Sequence, residues 1–334
     1  LKHKDHFTEA IWKKSKKSIN KKEDITSFSA NVNPLGISPL LRDTLSTHID
    51  AITNYPDRDY TKLRKSICDY TGAQFENIIG EMAYRANLSV YSDNKSKKAL
   101  ILGPTYSEYE REIALKGGQT LYYPLLEEND FQINISDFCS HLNDSIDLLV
   151  LCNPNNPTST AITRKDMRKI LDTCLQYGTC VMVDETYEEF APLEQISSIP
   201  LTNNYNNLIV LRGISKFFAA PGLRLGYAVT GNPDLLKYIN TKKNPWTINS
   251  LAEIAGCIMF SDKEYIDKTR ALISGERERL FNTLSSWKSV KVYPSCSNFL
   301  LIKILKEDVT SEQVFDYCIR RGLMIRDCST FRFG

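Results

Sequence analysis

Four short runs, Lys98–Leu102, Leu148–Cys152, Cys180–Val183 and Leu208–Leu211, constrain this chain more than anything else in its 334 residues. Each is too short for a buried helix, and the last three are apolar throughout, so they read as strands covered on both faces. Between the second and third lies Arg164–Tyr177. Its apolar residues (Met167, Ile170, Leu171, Cys174, Leu175) recur at helical spacing and Gly178 follows as a helix terminator. Strand–helix alternation across residues 98–230 predicts a mostly parallel α/β sheet. Ligands of such sheets collect at the carboxyl ends of the strands, so the residues that follow each run matter most.

After Leu208–Leu211 comes a turn with one lysine, Lys216, among apolar neighbours, and eight residues later Arg224. A lysine in apolar surroundings loses part of its preference for the charged form and can form a Schiff base with an aldehyde. A guanidinium grips a phosphate with two hydrogen bonds. An aldehyde and a phosphate together suggest pyridoxal 5'-phosphate. Cys180–Val183 ends in Asp184-Glu185-Thr186-Tyr187, which puts a carboxylate into the crevice. Opposite a pyridine nitrogen, such a carboxylate keeps that nitrogen protonated, and the protonated ring is an electron sink. Leu148–Cys152 runs into Asn153-Pro154-Asn155-Asn156-Pro157-Thr158, a turn that ends the strand. Lys98–Leu102 runs into Gly103-Pro104-Thr105-Tyr106-Ser107-Glu108-Tyr109, where a ring can stack on a flat cofactor.

Ser215–Tyr227, S-K-F-F-A-A-P-G-L-R-L-G-Y, resembles the cofactor-lysine signature of the fold-type I aminotransferase superfamily. Asn153–Thr158 resembles its N-P-x-N-P-T string, Asp184–Tyr187 its aspartate motif and Pro104–Tyr109 its P-T-[YF]-x-x-Y. The resemblance covers nearly the whole chain from about residue 25. It implies a fold-type I pyridoxal-phosphate transferase fold, with a large domain holding the parallel sheet and a smaller α+β domain. It also implies Lys216 as the catalytic lysine, Asp184 at the pyridine nitrogen, Asn156 and Tyr187 at the phenolate oxygen, Tyr106 stacked on the ring, and Ser215 and Arg224 at the phosphate. Asn54-Tyr55-Pro56-Asp57 looks like a segment whose tyrosine, here Tyr55, reaches the cofactor phosphate of a neighbouring subunit, which implies a homodimer with shared sites.

Within the superfamily, Ser29–Gly36 (S-A-N-V-N-P-L-G), F-F-A-A-P-G-L-R and I-R-D-C-S (Ile325–Ser329) look more like threonine-phosphate decarboxylases than like their relatives, the histidinol-phosphate aminotransferases. The implied reaction is decarboxylation of O-phosphothreonine or O-phosphoserine. Transamination of the histidinol-phosphate type is the alternative, and a non-catalytic or fusion module that keeps the fold is a third. Asn33, in the N-P-L-G turn, and Arg332, near an R-[IVF]-x-[IVF]-G-like strand, are the expected substrate contacts. Four departures accompany the resemblance. Ser159 stands where the pattern has glycine, and Gly213 where it has Ser or Thr. After Ile79 the expected N-G-[AS]-[ST]-E turn gives way to Gly80-Glu81-Met82-Ala83, as if a loop were missing there, and the loop before Arg332 and the helix after it are also absent.

The rest of the chain bounds the reading. Residues 1–30 are expected to form a basic arm or linker, with six lysines in Lys13–Lys22, residues 31–230 the large domain and 231–334 the small one. The latter includes a long amphipathic helix over Tyr265–Leu284, antiparallel strands at Val290–Tyr293 and Asn298–Ile304, and a helix over Val314–Arg321. Leu1 in place of methionine fits a fragment or one module of a longer protein. A net charge of +2 does not suggest a nucleic-acid partner, and no apolar run or leader pattern suggests a membrane or export. Nine scattered cysteines without a C-x-x-C pair read as reduced thiols of a cytoplasmic protein, with no metal site.

Overall fold

A computed structural model describes residues 25–80, 97–242 and 245–333. The basic stretch Lys13–Lys22 and the departure at Glu81–Leu88 lie outside the described residues. In chain order the strands are β1 (Thr26–Ser27), β2 (Ile78–Gly80), β3 (Lys98–Gly103), β4 (Gln119–Pro124), β5 (Leu148–Cys152), β6 (Cys180–Asp184), β7 (Leu208–Gly213), β8 (Gly226–Val229), β9 (Val290–Val292), β10 (Ile302–Ile304) and β11 (Leu323–Met324). Seven of them form the central sheet in the order β2-β8-β7-β6-β5-β3-β4. All its pairings are parallel except those of β8, which runs antiparallel to both neighbours.

The apolar runs are strands because both of their faces are covered. Leu149, Leu151, Val181, Val183, Leu208 and Val210 face one core. Their neighbours Leu148, Val150, Met182, Ile209 and Leu211 face the other. Each such side chain contributes roughly 1.5–3 kcal/mol on leaving water. The helix Arg164–Tyr177 covers the first of these faces with Met167, Ile170, Leu171 and Cys174. Thr163 caps its start by accepting from Asp166 N, and Gly178, at φ 69°, closes it in the left-handed region that glycine adopts without strain.

β7 and β8 are the two arms of a long hairpin whose connection is the lysine loop. Gly213 pairs with Gly226 at its base, and Ile214 N donates to Leu225 O at 3.3 Å. The helix Ser250–Met259 packs closely behind it. A Cβ on Gly256 would lie 2.4 Å from Leu63 Cδ1 and 2.8 Å from Leu225 Cδ2, so only glycine lets that helix approach.

The C-terminal part begins with the 23-residue helix Lys263–Ser285. β9 and β10 pair antiparallel, and the helix Ser311–Ile319 starts with a capping box between Thr310 and Gln313. β11 pairs in parallel with β1, so the segment entering the sheet domain first passes beside the C-terminal part. Two expected strands are shorter than their patterns. The one anticipated within Asn298–Ile304 is confined to Ile302–Ile304, because Ser295–Phe299 folds on itself, Ser295 Oγ donating to Phe299 O at 2.6 Å. The other, which the run before the N-P-L-G turn of Ser27–Gly36 predicts as a short strand, ends at Ser27, and the chain turns over the lysine loop, Asn33 N donating to Lys216 O at 3.0 Å.

All nine cysteines are free thiols. Among the described residues no helix is long and apolar enough to cross a membrane, and no cluster of three or more potential metal ligands occurs.

Candidate active site

The residues singled out after the apolar runs converge because parallel strands end at one edge of the sheet. Tyr106 follows β3, Asn156 follows β5, Asp184 ends β6, and Ser215, Lys216 and Arg224 belong to the loop after β7. All of them, with Tyr187, line one cavity of about 2000 Å³.

Lys216 is half-buried, and its Nζ donates to Ala30 O at 2.7 Å and lies 6.0 Å from the centre of the Tyr187 ring. Burial pulls its pKa below the usual lysine value, against the opposing pull of the Asp184 carboxylate. Such a lysine supplies a neutral, nucleophilic amine more readily than an exposed one.

Asp184 accepts at both oxygens. Tyr109 donates its phenol to Oδ2 at 2.7 Å, while Thr186 donates its N–H to Oδ1 at 3.0 Å and its hydroxyl to the same oxygen. Tyr109 is fully buried, and burial first, then the neighbouring carboxylate, keep its phenol protonated well above the usual range. Tyr109 and Thr186 escaped the sequence reading. The signal for Tyr109 was its place three residues after Tyr106, which puts it on the same side of the helix start; the two rings meet edge-on at 5.6 Å. The Tyr187 phenol is likewise held above its usual range by burial, with an opposing hydrogen bond from the Asn31 side chain.

The turn that carries Asn156 is braced from beneath. Asn155 donates to Pro104 O at 2.9 Å and to Thr158 Oγ1 at 2.9 Å, and accepts from Thr105 Oγ1 at 2.7 Å. Both neighbouring strand ends are thereby fixed to each other, and Asn156 faces the cavity between them.

At the far side, Arg224 is exposed and takes the left-handed φ of 56°, with Nη1 donating to Pro221 O at 3.0 Å. Arg326 lines the same cavity and was not singled out from the sequence. Beneath the lysine loop, Arg212 binds Glu185 Oε2 with both Nε (3.0 Å) and Nη2 (2.8 Å) and lies 2.7 Å from Glu188. Burial opposes its charge, but the carboxylates of Glu188 and Glu185 hold it charged. Glu185 follows Asp184 directly, and Arg212 stands four residues before Lys216. This buried pair therefore sets the two strand ends that carry the carboxylate and the amine.

Three expected residues stand away from the cavity wall. Asn33 does not line it. The residue is 3% exposed and its amide donates to Phe217 O (2.8 Å), Tyr265 Oη (2.9 Å) and Thr269 Oγ1 (2.9 Å), while its oxygen accepts from Leu35 N. Its hydrogen-bonding capacity is used inside the protein, away from the cavity where the substrate contact was expected. Arg332 is also not in the wall. Its guanidinium pairs with Glu110 at 2.8 Å and lies 4.8 Å from the Tyr122 ring. Tyr55 is 79% exposed, its ring 4.6 Å from that of Trp246, on a surface of the chain rather than in its cavity.

The Aminotransferase class I and II family model matches residues 23–333. A protein of Caldanaerobacter subterraneus subsp. tengcongensis, provisionally named a threonine-phosphate decarboxylase, is 34% identical over 91% of this chain and 82% of its own. The threonine-phosphate decarboxylase of Salmonella typhimurium is 29% identical over 92% of this chain and 84% of its own. Among solved structures, the histidinol-phosphate aminotransferase of Clostridium acetobutylicum superimposes with a TM-score of 0.84 at 29% identity, over 92% of this chain and 90% of that one.

Proposed function

The chain belongs to the aminotransferase class I and II family of pyridoxal-phosphate enzymes, and from that membership we propose that it decarboxylates a phosphorylated amino acid, O-phosphothreonine or O-phosphoserine. The observation that carries the chemistry is that the Lys216 amine, on the loop after β7, and the Asp184 carboxylate, at the end of the adjacent parallel strand β6, line one cavity.

The residues present suit the cofactor. When bound, pyridoxal phosphate supplies an aldehyde for an amine and a ring that accepts the electron pair of a broken Cα bond. Lys216 offers the amine that holds the aldehyde, made nucleophilic by burial. Asp184, already oriented by Tyr109 and Thr186, would keep a proton on the pyridine nitrogen. Asn156 and Tyr187 would donate to the ring oxygen, Tyr106 would lie against the ring face, and Ser215 and Arg224 would bind the phosphate. Arg326 adds a second guanidinium to the cavity for an anionic group of the substrate.

With the cofactor bound, which Cα bond would break is set by how this chain's cavity wall holds the substrate. Decarboxylation therefore requires the wall to hold the Cα–carboxylate bond perpendicular to the ring, and transamination the Cα–H bond, with Lys216 moving the proton. The two decarboxylase-named relatives favour the first outcome. The structural likeness to a histidinol-phosphate aminotransferase at 29% identity supports the second as the alternative.

The assembly we propose is a homodimer in the cytoplasm. Tyr55, Trp246, Ile49 and Ile52 expose a large apolar surface that a second copy of the chain would cover, and Tyr55 would then reach the partner's phosphate site. The large unit of the division is residues 31–230 and the small one 231–334.

The test is carbon dioxide release. With pyridoxal phosphate present, release from O-phosphothreonine or O-phosphoserine is expected. Release from neither, with conversion of histidinol phosphate and a keto acid, would assign transamination instead.

A further inference from the structure

The turn that carries Asn156 ends on a strained residue. Ser159 has φ 57°, in the left-handed region where glycine is the usual occupant and a side chain is disfavoured. This is the position where the family pattern has glycine. Strain of this kind persists only where the surroundings over-determine it.

Here they do. Ser159 is 1% exposed, and its Oγ lies 2.8 Å from Ser295 Oγ and accepts from Ser297 N at 3.0 Å. Its carbonyl accepts from Cys296 N at 3.3 Å and from the Cys296 thiol at 3.0 Å. Consecutive residues of the C-terminal part, Ser295 to Ser297, thus close on one serine of the cofactor-side turn. Arg277, from the helix Lys263–Ser285, clamps the same segment by donating through Nη1 to the carbonyls of Cys296 (3.2 Å), Ser297 (2.9 Å) and Phe190 (3.2 Å).

The fastened segment reaches the cavity at two further points. Asn298 Nδ2 donates to Asn31 O at 2.9 Å, beside Ala30, whose carbonyl takes the Lys216 amine. The Phe299 ring packs edge-on against Tyr187 at 5.1 Å. On the turn itself, Ser159 N donates to Asn155 O at 2.7 Å, so Asn156 lies inside a closed loop.

We infer that Ser159 is a positioning residue: its hydroxyl fastens the Asn156 turn to residues 295–299 and so fixes Tyr187 and the Ala30–Asn31 segment relative to Lys216. Glycine would supply the same backbone shape without the tie. The inference rests on the proposed function only in that Asn156 and Tyr187 face pyridoxal phosphate.

Three variants test it. Ser159→Ala removes the hydroxyl and keeps the strain, Ser159→Gly removes both, and Ser295→Ala leaves the turn unaltered but removes the Ser159 contact together with Ser295's own bonds to Phe299 O and Ser297 N. Hydrogen exchange is followed on the full chain without cofactor, and pyridoxal-phosphate affinity is measured by titration. In all three, the Cys296 and Ser297 amides should exchange at least about tenfold faster, as local opening loses a hydrogen bond. Cofactor affinity should fall roughly three- to tenfold. Ser159→Gly should melt above Ser159→Ala while binding no better, which separates strain from fastening. Unchanged exchange at Cys296 and Ser297 in Ser159→Gly and Ser295→Ala would overturn the inference, as would faster exchange with undiminished affinity. If the unaltered chain itself fails to bind pyridoxal phosphate, the proposed function falls, and the exchange measurement still decides whether Ser159 fastens the segment. Ser295→Ala keeps the test decisive if a Ser159 variant does not fold.

Discussion

Tyr109 donates a hydrogen bond from its phenol to Asp184 Oδ2 at 2.7 Å, from a side chain that is buried. The carboxylate proposed to face the cofactor is therefore oriented by a buried phenol of the same cavity. Tyr109→Phe leaves the shape and removes the donor, with the two Thr186 donors still in place. A hydrogen bond to a charged group contributes roughly 1.5–3 kcal/mol, so turnover per bound cofactor should fall about tenfold or more. Rates measured at saturating pyridoxal phosphate check this; an unchanged rate would remove Tyr109 from the machinery.

Burial lowers the pKa of Lys216 from 10.5, with Asp184 opposing. Below the folded value the folded state carries a buried charge, and that penalty disappears as pH rises toward the unfolded value. The rate at which the protein captures pyridoxal phosphate should accordingly rise with pH around a midpoint below 10.5. Asp184→Asn removes the opposing charge and should lower the midpoint further. A midpoint at or above that of free lysine would contradict the burial argument.

Glu189 is buried against Tyr70, with Arg212, Arg270 and Glu185 nearby, and its carboxyl is pushed up to about 7, chiefly by burial. A raised acid favours the folded state when protonated, so its contribution is complete below the unfolded value of 4.5 and is lost as pH climbs through about 7. Thermal stability should decline over that window, and Glu189→Gln should flatten the decline. Melting curves at several pH values decide; an equally steep decline in the variant would assign it to other groups.

Asn33→Ala should act on stability rather than on substrate. The variant leaves Phe217 O, Tyr265 and Thr269 without their shared donor in the interior. A loss of about 2 kcal/mol, several degrees in melting temperature, is expected, with the Michaelis constant little altered. A large rise in that constant at unchanged stability would restore Asn33 as a substrate contact.

The central strands and the convergence of Asn156, Asp184 and Lys216 were legible because each rests on a local pattern. An apolar run covered on both faces has one good conformation, and a parallel sheet brings every such run's end to one edge. The surroundings of Asn33 and Arg332 were not legible, for the opposite reason. Their partners, Phe217, Tyr265 and Thr269 for one, Glu110 and Tyr122 for the other, lie far along the chain, and no local pattern reports them. Ser159 was visible only as a departure. That its backbone is left-handed and its hydroxyl spans to Ser295 needed the fold.

The most direct test of decarboxylation is one turnover without a keto acid. The protein is loaded with pyridoxal phosphate, mixed with O-phosphothreonine or O-phosphoserine, and the cofactor spectrum is followed together with carbon dioxide. Carbon dioxide released with the cofactor recovered as pyridoxal phosphate is the predicted result. Conversion of the cofactor to pyridoxamine phosphate without carbon dioxide would contradict it and assign the chain to transamination.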